Sequence, residues 1–305
     1  MQNVTIFTLI DLLESPLSRE IRVQVMRAAE NNLPVLFFGE TGVGKDIWAT
    51  FLHALKGNVP FVNLHCADLP DTLLESQWFG YKKGSFTGAV SDHSGIWLNA
   101  NNGVLYLNRI DLLKNDLQSK LLRVIERKRF FPLGSSDEVS LNAQFVFSTN
   151  DDIVQQVEKG LFRSDLYYRI SSFSIRIPPL RERKDEILPL LRFFAKKANV
   201  EISLSQKSFD IFYHHPWFGN IRELENFVSR CVISEGAIND FGVSKYLDDS
   251  SFFSSSISQE MSLDELEKKY IHHLLTRYKN KALVSRILGV TRKTLYNKLK
   301  HYGKD

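Results

Sequence analysis

Cysteine is nearly absent. Two residues, Cys66 and Cys231 in a chain of 305, make neither a disulfide framework nor a zinc site. No apolar run approaches the ~18 residues needed to span a bilayer. The first basic residue is Arg19, so no charged segment precedes an apolar stretch as a secretory leader requires. No internal repeat is present. Disorder and low complexity are excluded too, because 43% of the residues are hydrophobic and only 24% charged. The expectation is a soluble cytoplasmic protein with no membrane partner, folded into two or three compact units.

The modest net charge of +4 conceals an asymmetry. Residues 276–305 carry nine Lys/Arg against the single acid Asp305, a segment charge of +8 that leaves −4 for the rest. A basic tail on a mildly acidic body points to a tail that touches polyanions; a merely solvated charged end is the plainer alternative.

Up to about residue 175, apolar runs alternate with helical patterns, as a parallel sheet with crossover helices requires. The strand candidates are Val35–Phe38, Phe61–Leu64, Val104–Leu107 and Phe145–Phe147. A helix is expected over Asp46–Leu55, where Ile47, Phe51, Leu52 and Leu55 fall near one face. After Pro178-Pro179 the pattern is helical only. Ile187, Leu190, Leu191 and Phe194 share a face, with Pro189 confined to that helix's opening turn. Phe209–Tyr213 and Ile221–Val232 follow. Six of the nine residues 250–258 are serine, which reads as a flexible linker. A helix near Leu263–Arg277 and two shorter ones complete the chain.

Gly39-Glu40-Thr41-Gly42-Val43-Gly44-Lys45 follows a strand and opens a helix. Glycines there let backbone N–H groups converge on phosphate oxygens, the helix N-terminus adds positive potential, and Lys45 reaches the outer phosphates. A glycine-rich turn that binds nothing is the alternative. Asp46 stands where a Ser or Thr hydroxyl usually meets Mg²⁺.

Together with Phe79-Gly80-Tyr81-Lys82-Lys83-Gly84-Ser85-Phe86-Thr87-Gly88-Ala89, this loop resembles the AAA+ activators of sigma-54 RNA polymerase, the bacterial enhancer-binding proteins. The likeness continues through Leu121–Val124, Phe162–Arg169, Pro178–Arg183 and Trp217–Asn226, in the family's order from about Glu14. The resemblance implies an α/β fold: an AAA+ P-loop domain with a parallel sheet and flanking helices, a helical lid, then a small all-α helix-turn-helix domain. The expected boundaries are 1–178 for the α/β part that contacts sigma-54, 179–240 for the lid, 241–260 for the Ser-rich linker and 261–305 for the DNA-binding part. It also implies roles. Gly39 to Asp46 and Arg222 (the second sensor) would bind ATP, and Thr149-Asn150 match the first sensor. Arg163 and Arg169 match arginine fingers given to a neighbouring subunit. Gly84, Ser85, Phe86, Thr87, Gly88 and Ala89 would form the sigma-54 contact, with Ser85 where alanine is usual. An acid commonly follows the loop lysine in this family, which fits Asp46.

The likeness breaks where hydrolysis should occur. Val104–Leu107 should be followed by the Walker B Asp-Glu; Asn108-Arg109 stand there instead. Asn108 offers a metal only a neutral carbonyl oxygen, and Arg109 stays protonated and cannot act as a base. His65 replaces the asparagine that engages the Walker B glutamate. Losing a positioned base costs about 10²–10⁴ in rate, or about 3–5 kcal/mol, so unaided hydrolysis is not expected unless Asp111 or Asp46 substitutes. ATP binding with a weakened Mg²⁺ site is expected, with the Arg109 guanidinium offsetting charge near the γ-phosphate.

Lys281–Leu288, Gly289-Val290 and Thr291–Tyr302 read as helix, turn, helix, with Thr291 an N-cap and Leu288, Leu295 and Leu299 facing a small core. This stretch resembles the Fis-type helix-turn-helix that ends these activators. Thr291, Arg292, Lys293, Asn297, Lys298 and Lys300 are the DNA-binding candidates, with Arg292 and Asn297 for bases and Lys293, Lys298 and Lys300 for phosphates. Dimeric binding is expected of so small a module.

Only 38 residues precede Gly39, so no attached receiver is expected, a layout resembling the phage-shock and Hrp-type activators. The implied partners are sigma-54 RNA polymerase, upstream enhancer DNA, further copies or an active relative in a ring, and a trans-acting regulator. An impaired ATPase is the first reading. A fully active ATP-driven activator and a non-hydrolysing DNA-binding repressor or scaffold are the others.

Overall fold

The buried runs of the first half assemble into a parallel sheet of five strands: β1 Val35–Phe38, β2 Phe61–His65, β3 Val104–Asn108, β4 Gln144–Thr149 and β5 Ser174–Arg176. Their spatial order is β2-β3-β4-β1-β5. The computed structural model describes residues 2–66, 71–150, 152–247, 262–278 and 280–302. All six residues of β4 are buried, as a strand covered on both faces requires. Leu107 pairs with Phe147, Phe38 with Thr149 and His65 with Asn108. The C-terminal ends of β1, β4 and β3 therefore lie side by side, the edge where parallel sheets bind ligands.

The first four strands match the sequence expectation to within a residue or two; β5 was not expected. Only Ile175 of its three residues is buried, too short an alternation to show as a pattern. Two N-terminal helices were not expected either, α1 Gln2–Asp11 and α2 Pro16–Glu30. The second carries a legible start signal: Ser15 Oγ accepts the Ser18 N–H at 3.2 Å, and Pro16 opens the first turn. On one sheet face Trp78, Phe79, Trp97, Phe130 and Phe145 form an aromatic cluster, with Phe79 and Trp97 stacked at 5.4 Å. The helix Ile187–Lys197 keeps Pro189 in its opening turn.

Contacts divide the chain into two units, residues 1–199 with 217–230 and residues 200–216 with 231–305. In the second unit Ile202–Ser203 pairs in parallel with Ile238–Asn239. Asn239 then caps a helix, Asp240–Tyr246, by accepting the Gly242 N–H at 2.9 Å. Those residues stand where the linker was expected to begin. Val243 is buried, and the cap and that anchor hold the short helix. The serine-rich stretch itself lies outside the described residues.

The last three helices are Leu263–Tyr278, Lys281–Ile287 and Arg292–His301. Ile271, Leu274, Val284 and Leu295 make their core, with Leu288, Leu299 and Tyr302 packed against it. Asn280 accepts the Ala282 and Leu283 N–H groups, and Thr291 accepts that of Thr294 at 3.1 Å. Gly289 supplies the positive φ of +65° between the second and third helices.

Candidate functional site

Beyond β1 the chain turns sharply into the helix α3, Lys45–Leu55. Gly42 is required there: its φ is +81°, and a Cβ would lie 2.2 Å from the Gly219 carbonyl oxygen. A cleft of about 330 Å³ opens against this loop. It is lined by Thr41, Gly42, Gly44, Lys45, Asp46 and Ile47, by His65, Asn108, Arg109 and Asn150 from the neighbouring strand ends, and by Ile221, Arg222 and Glu225. Lys45 is 8% exposed, and its ammonium donates to the Gly39 and Glu40 carbonyls at 2.6 and 2.9 Å and to Asn150 Oδ1 at 3.4 Å. The structure thus gathers the loop, His65, the Asn108-Arg109 pair, Asn150 and Arg222 at one place.

Asn220, fully buried, ties the phosphate loop to the backbone at Leu180. Its Nδ2 donates to Thr41 O at 3.0 Å and Glu40 Oε2 at 3.2 Å, and its Oδ1 accepts the Leu180 N–H at 2.7 Å. Arg181 grips the Glu40 carboxylate with both terminal nitrogens, which holds Glu40 below the usual carboxylate range. Behind the loop Arg183 donates to Val43 O at 2.5 Å and pairs with Glu186 at 3.1 Å, both side chains being 1% exposed or less. Glu186 in turn accepts the Ser15 N–H and O–H. Arg181, Arg183 and Asn220 lie in stretches that carry the family likeness, but the sequence gives none of them, nor Glu186, a role. Charged residues in a polar run carry no sign of the partner that buries them.

Asn108 and Asp46 close a hydrogen-bonded circuit. Asn108 Nδ2 donates to Asp46 Oδ1 at 2.8 Å, and the Tyr106 hydroxyl donates to the same oxygen at 2.6 Å. Ser148 Oγ donates to Asn108 Oδ1 at 2.7 Å and lies 3.0 Å from the phenol oxygen. Burial and the Asp46 charge hold the Tyr106 phenol protonated, far above its ordinary range.

Arg109 sits in the left-handed region at φ +60°. This turn brings its Nε and Nη2 onto Asp111 at 2.8–3.1 Å. Asp111, its side chain 1% exposed, also accepts the Thr149 hydroxyl at 3.2 Å and lines a separate cavity. Arg109 was expected to offset charge near a γ-phosphate; it lines the cleft, with two of its nitrogens committed to Asp111.

Mg²⁺ fits these residues poorly. It requires near-octahedral oxygen ligands at about 2.0–2.1 Å. The Asp46 oxygen beside Asn108 already accepts two donors, and Asn108 turns its N–H groups, not its carbonyl, toward that carboxylate. Among the described residues no cluster of three or more His, Cys, Asp or Glu side chains converges.

Residues 84–89 form a small looped projection. Gly84 N–H donates to Ala89 O at 2.9 Å and Ala89 N–H to Phe86 O at 3.1 Å, with Gly84 and Gly88 at φ +83° and +106°. Phe86 is 44% exposed, its ring edge-on to Tyr81 at 4.9 Å. Ser85 Oγ is buried with no hydrogen-bond partner among the described residues.

Residues 12–176 match the family model described as "Sigma-54 interaction domain". The chain belongs to that family. Residues 181–240 match the "AAA+ ATPase lid domain" and residues 262–302 the "Bacterial regulatory protein, Fis family". The Nif-specific regulatory protein of Azotobacter vinelandii is 41% identical over 225 residues, covering 72% of this chain and 43% of that protein. The putative uric acid sigma-54-dependent transcriptional regulator UacR of Escherichia coli K12 is 33% identical, covering 95% of this chain and 53% of that one. The chain thus spans about half the length of these relatives. The crystal structure of NtrX from Brucella abortus in complex with ATP is similar at a TM-score of 0.68 and 25% identity, over 95% of this chain and 68% of that one.

For a sigma-54 interaction domain, the arginines fall in two places. Arg222 lines the cleft; Arg163 and Arg169 are exposed and do not line it. Arg163 makes a surface ion pair with Asp165 at 2.7 Å and donates to Ser119 Oγ at 3.1 Å. In the Fis-type domain Arg292, Lys293, Asn297 and Lys300 are exposed on the last helix. Lys298 instead donates to Glu267 at 2.8 Å, as does the Tyr302 hydroxyl, and these bonds hold Glu267 below its usual range. No helix among the described residues is long and apolar enough to cross a membrane.

Proposed function

We propose that the chain is a sigma-54-dependent transcriptional regulator that binds enhancer DNA and ATP, engages sigma-54 RNA polymerase through residues 84–89, and hydrolyses ATP poorly by itself. The observation that carries this reading is Arg109. A side chain that cannot accept a proton lines the cleft beyond β3, fixed by Asp111, which lines another cavity. The carboxylates lining the cleft among the described residues are Asp46, bound to Asn108 and Tyr106, and Glu225, whose carboxylate pairs with Lys197 at 3.3 Å. Neither is a base aimed at a water. The exposed Arg163 and Arg169 and the exposed Phe86 act on neighbours and need no catalysis in this subunit. The chain therefore works in a ring of its own copies or with an active relative, under a trans-acting regulator. Steady-state ATP hydrolysis by the purified chain, across protein concentration with Mg²⁺ and DNA, tests the reading. The expected result is ATP binding with turnover far below ~1 s⁻¹, the low end of ordinary enzymes; a turnover at that level overturns it.

The helix Arg292–His301 enters the major groove in this reading, with Arg292 and Asn297 at base edges. Lys300→Ala is expected to lower the slope of log K against log salt by about 0.9, one released counterion. Lys298→Ala is expected to change the slope less and to lower the domain's melting temperature, because its ammonium is held by Glu267. Filter binding across salt concentrations, with melting curves, checks both.

A further inference from the structure

We propose that this chain holds a nucleoside triphosphate without a divalent cation, the Asn108 amide standing where the ion would bridge. The inference rests on the nucleotide-holding role proposed above and specifies the form in which the ligand is taken. Asp46 fixes the orientation of the amide. A carboxylate oxygen only accepts, so the group 2.8 Å from Asp46 Oδ1 has to be the N–H side of Asn108, and Ser148 satisfies the carbonyl side at 2.7 Å. A metal ion bound through Asp46 Oδ1 has to compete with two donors, and one that calls on Asn108 has to reverse the amide away from Ser148 and gains only a neutral oxygen from it.

Charge points the same way. Lys45, Arg109 and Arg222 line the cleft against Asp46 and Glu225, and Glu225 is already paired with Lys197. With Arg109 set against Asp111 and Glu225 against Lys197, Lys45 and Arg222 still outweigh Asp46, so a triphosphate meets net positive charge with no ion added. Arg109 keeps Nη1 without a partner among the described residues after Nε and Nη2 have gone to Asp111. Its guanidinium repels a divalent cation and attracts the phosphate that such a cation would escort.

Titration of the full chain with fluorescent N-methylanthraniloyl-ATP, in Mg²⁺ and in excess EDTA, tests this. The expected dissociation constants agree within about threefold, and the double variant Asn108→Asp/Arg109→Glu loses about tenfold or more in EDTA. Thermal shifts of the unaltered chain with ATP in the two buffers give the same answer without a variant, and equal shifts are expected. Binding by the unaltered chain that weakens about tenfold or more in EDTA overturns the metal-free reading and leaves the nucleotide-holding role standing. No binding in either buffer overturns both.

Discussion

Returning the three departures together, Asn108→Asp, Arg109→Glu and His65→Asn, is expected to raise Mg²⁺-dependent ATP turnover by about 10²–10⁴, the contribution of a positioned base. The three positions are neighbours: His65 and Asn108 face each other in the pairing of β2 with β3, and Arg109 follows at the strand end. The change also removes a cation from the place where water is to be activated. It carries a structural cost that the experiment has to separate. With Arg109 gone, the buried Asp111 loses its partner and faces a second carboxylate, so a parallel variant adds Asp111→Asn. Turnover and melting temperature are measured on both. A folded variant with no gain in turnover rules out an otherwise competent hydrolytic site and favours the scaffold reading.

Arg183→Met is expected to destabilise the first unit by about 3–5 kcal/mol, because it strands the Glu186 charge in the interior. Arg183 is fully buried in the side chain and Glu186 nearly so, and the guanidinium is the donor that holds the Val43 carbonyl behind the phosphate loop. Burial disfavours the charged guanidinium and Glu186 opposes that effect. Removing both charges, Arg183→Met with Glu186→Leu, is expected to recover much of the loss, since replacing a buried pair by apolar groups is often near neutral. The Ser15 N–H and O–H then lose their acceptor, which keeps recovery incomplete. Urea unfolding of the two variants checks the difference; equal losses sink the stranded-charge account. Nucleotide affinity should stay depressed in both, because neither restores the donor to Val43.

What was legible in the sequence was local. Val35–Phe38, three glycines and a lysine declare a strand, a tight turn and a helix with no help from distant residues. Ser15 and Pro16, which cap and open α2, are an equally local signal. Arg109 shows where such reading stops. Its residue type excludes a base, but which partner it takes depends on a left-handed φ that folds it back onto a residue two positions away. Asp111, the nearest carboxylate in sequence, is held by Arg109 and Thr149. Arg183 lies further still from sequence logic, since the chain from Val43 through Glu186 to Ser15 joins residues far apart in order. In sequence Lys298 is like its basic neighbours; Glu267, two helices earlier, takes its ammonium.

The circuit around Asp46 also bears on how this chain could change over evolutionary time. Asn108→Asp alone puts a second carboxylate beside Asp46, where the amide now donates at 2.8 Å, with Arg109 still repelling the ion that would reconcile them. Reverting Arg109 alone leaves Asp111 facing a like charge. Each of these two single steps is expected to be worse than either end state, and neither collects the benefit of the whole. The present arrangement is held in place by the pairing of its own side chains, as a ratchet is held by its pawl.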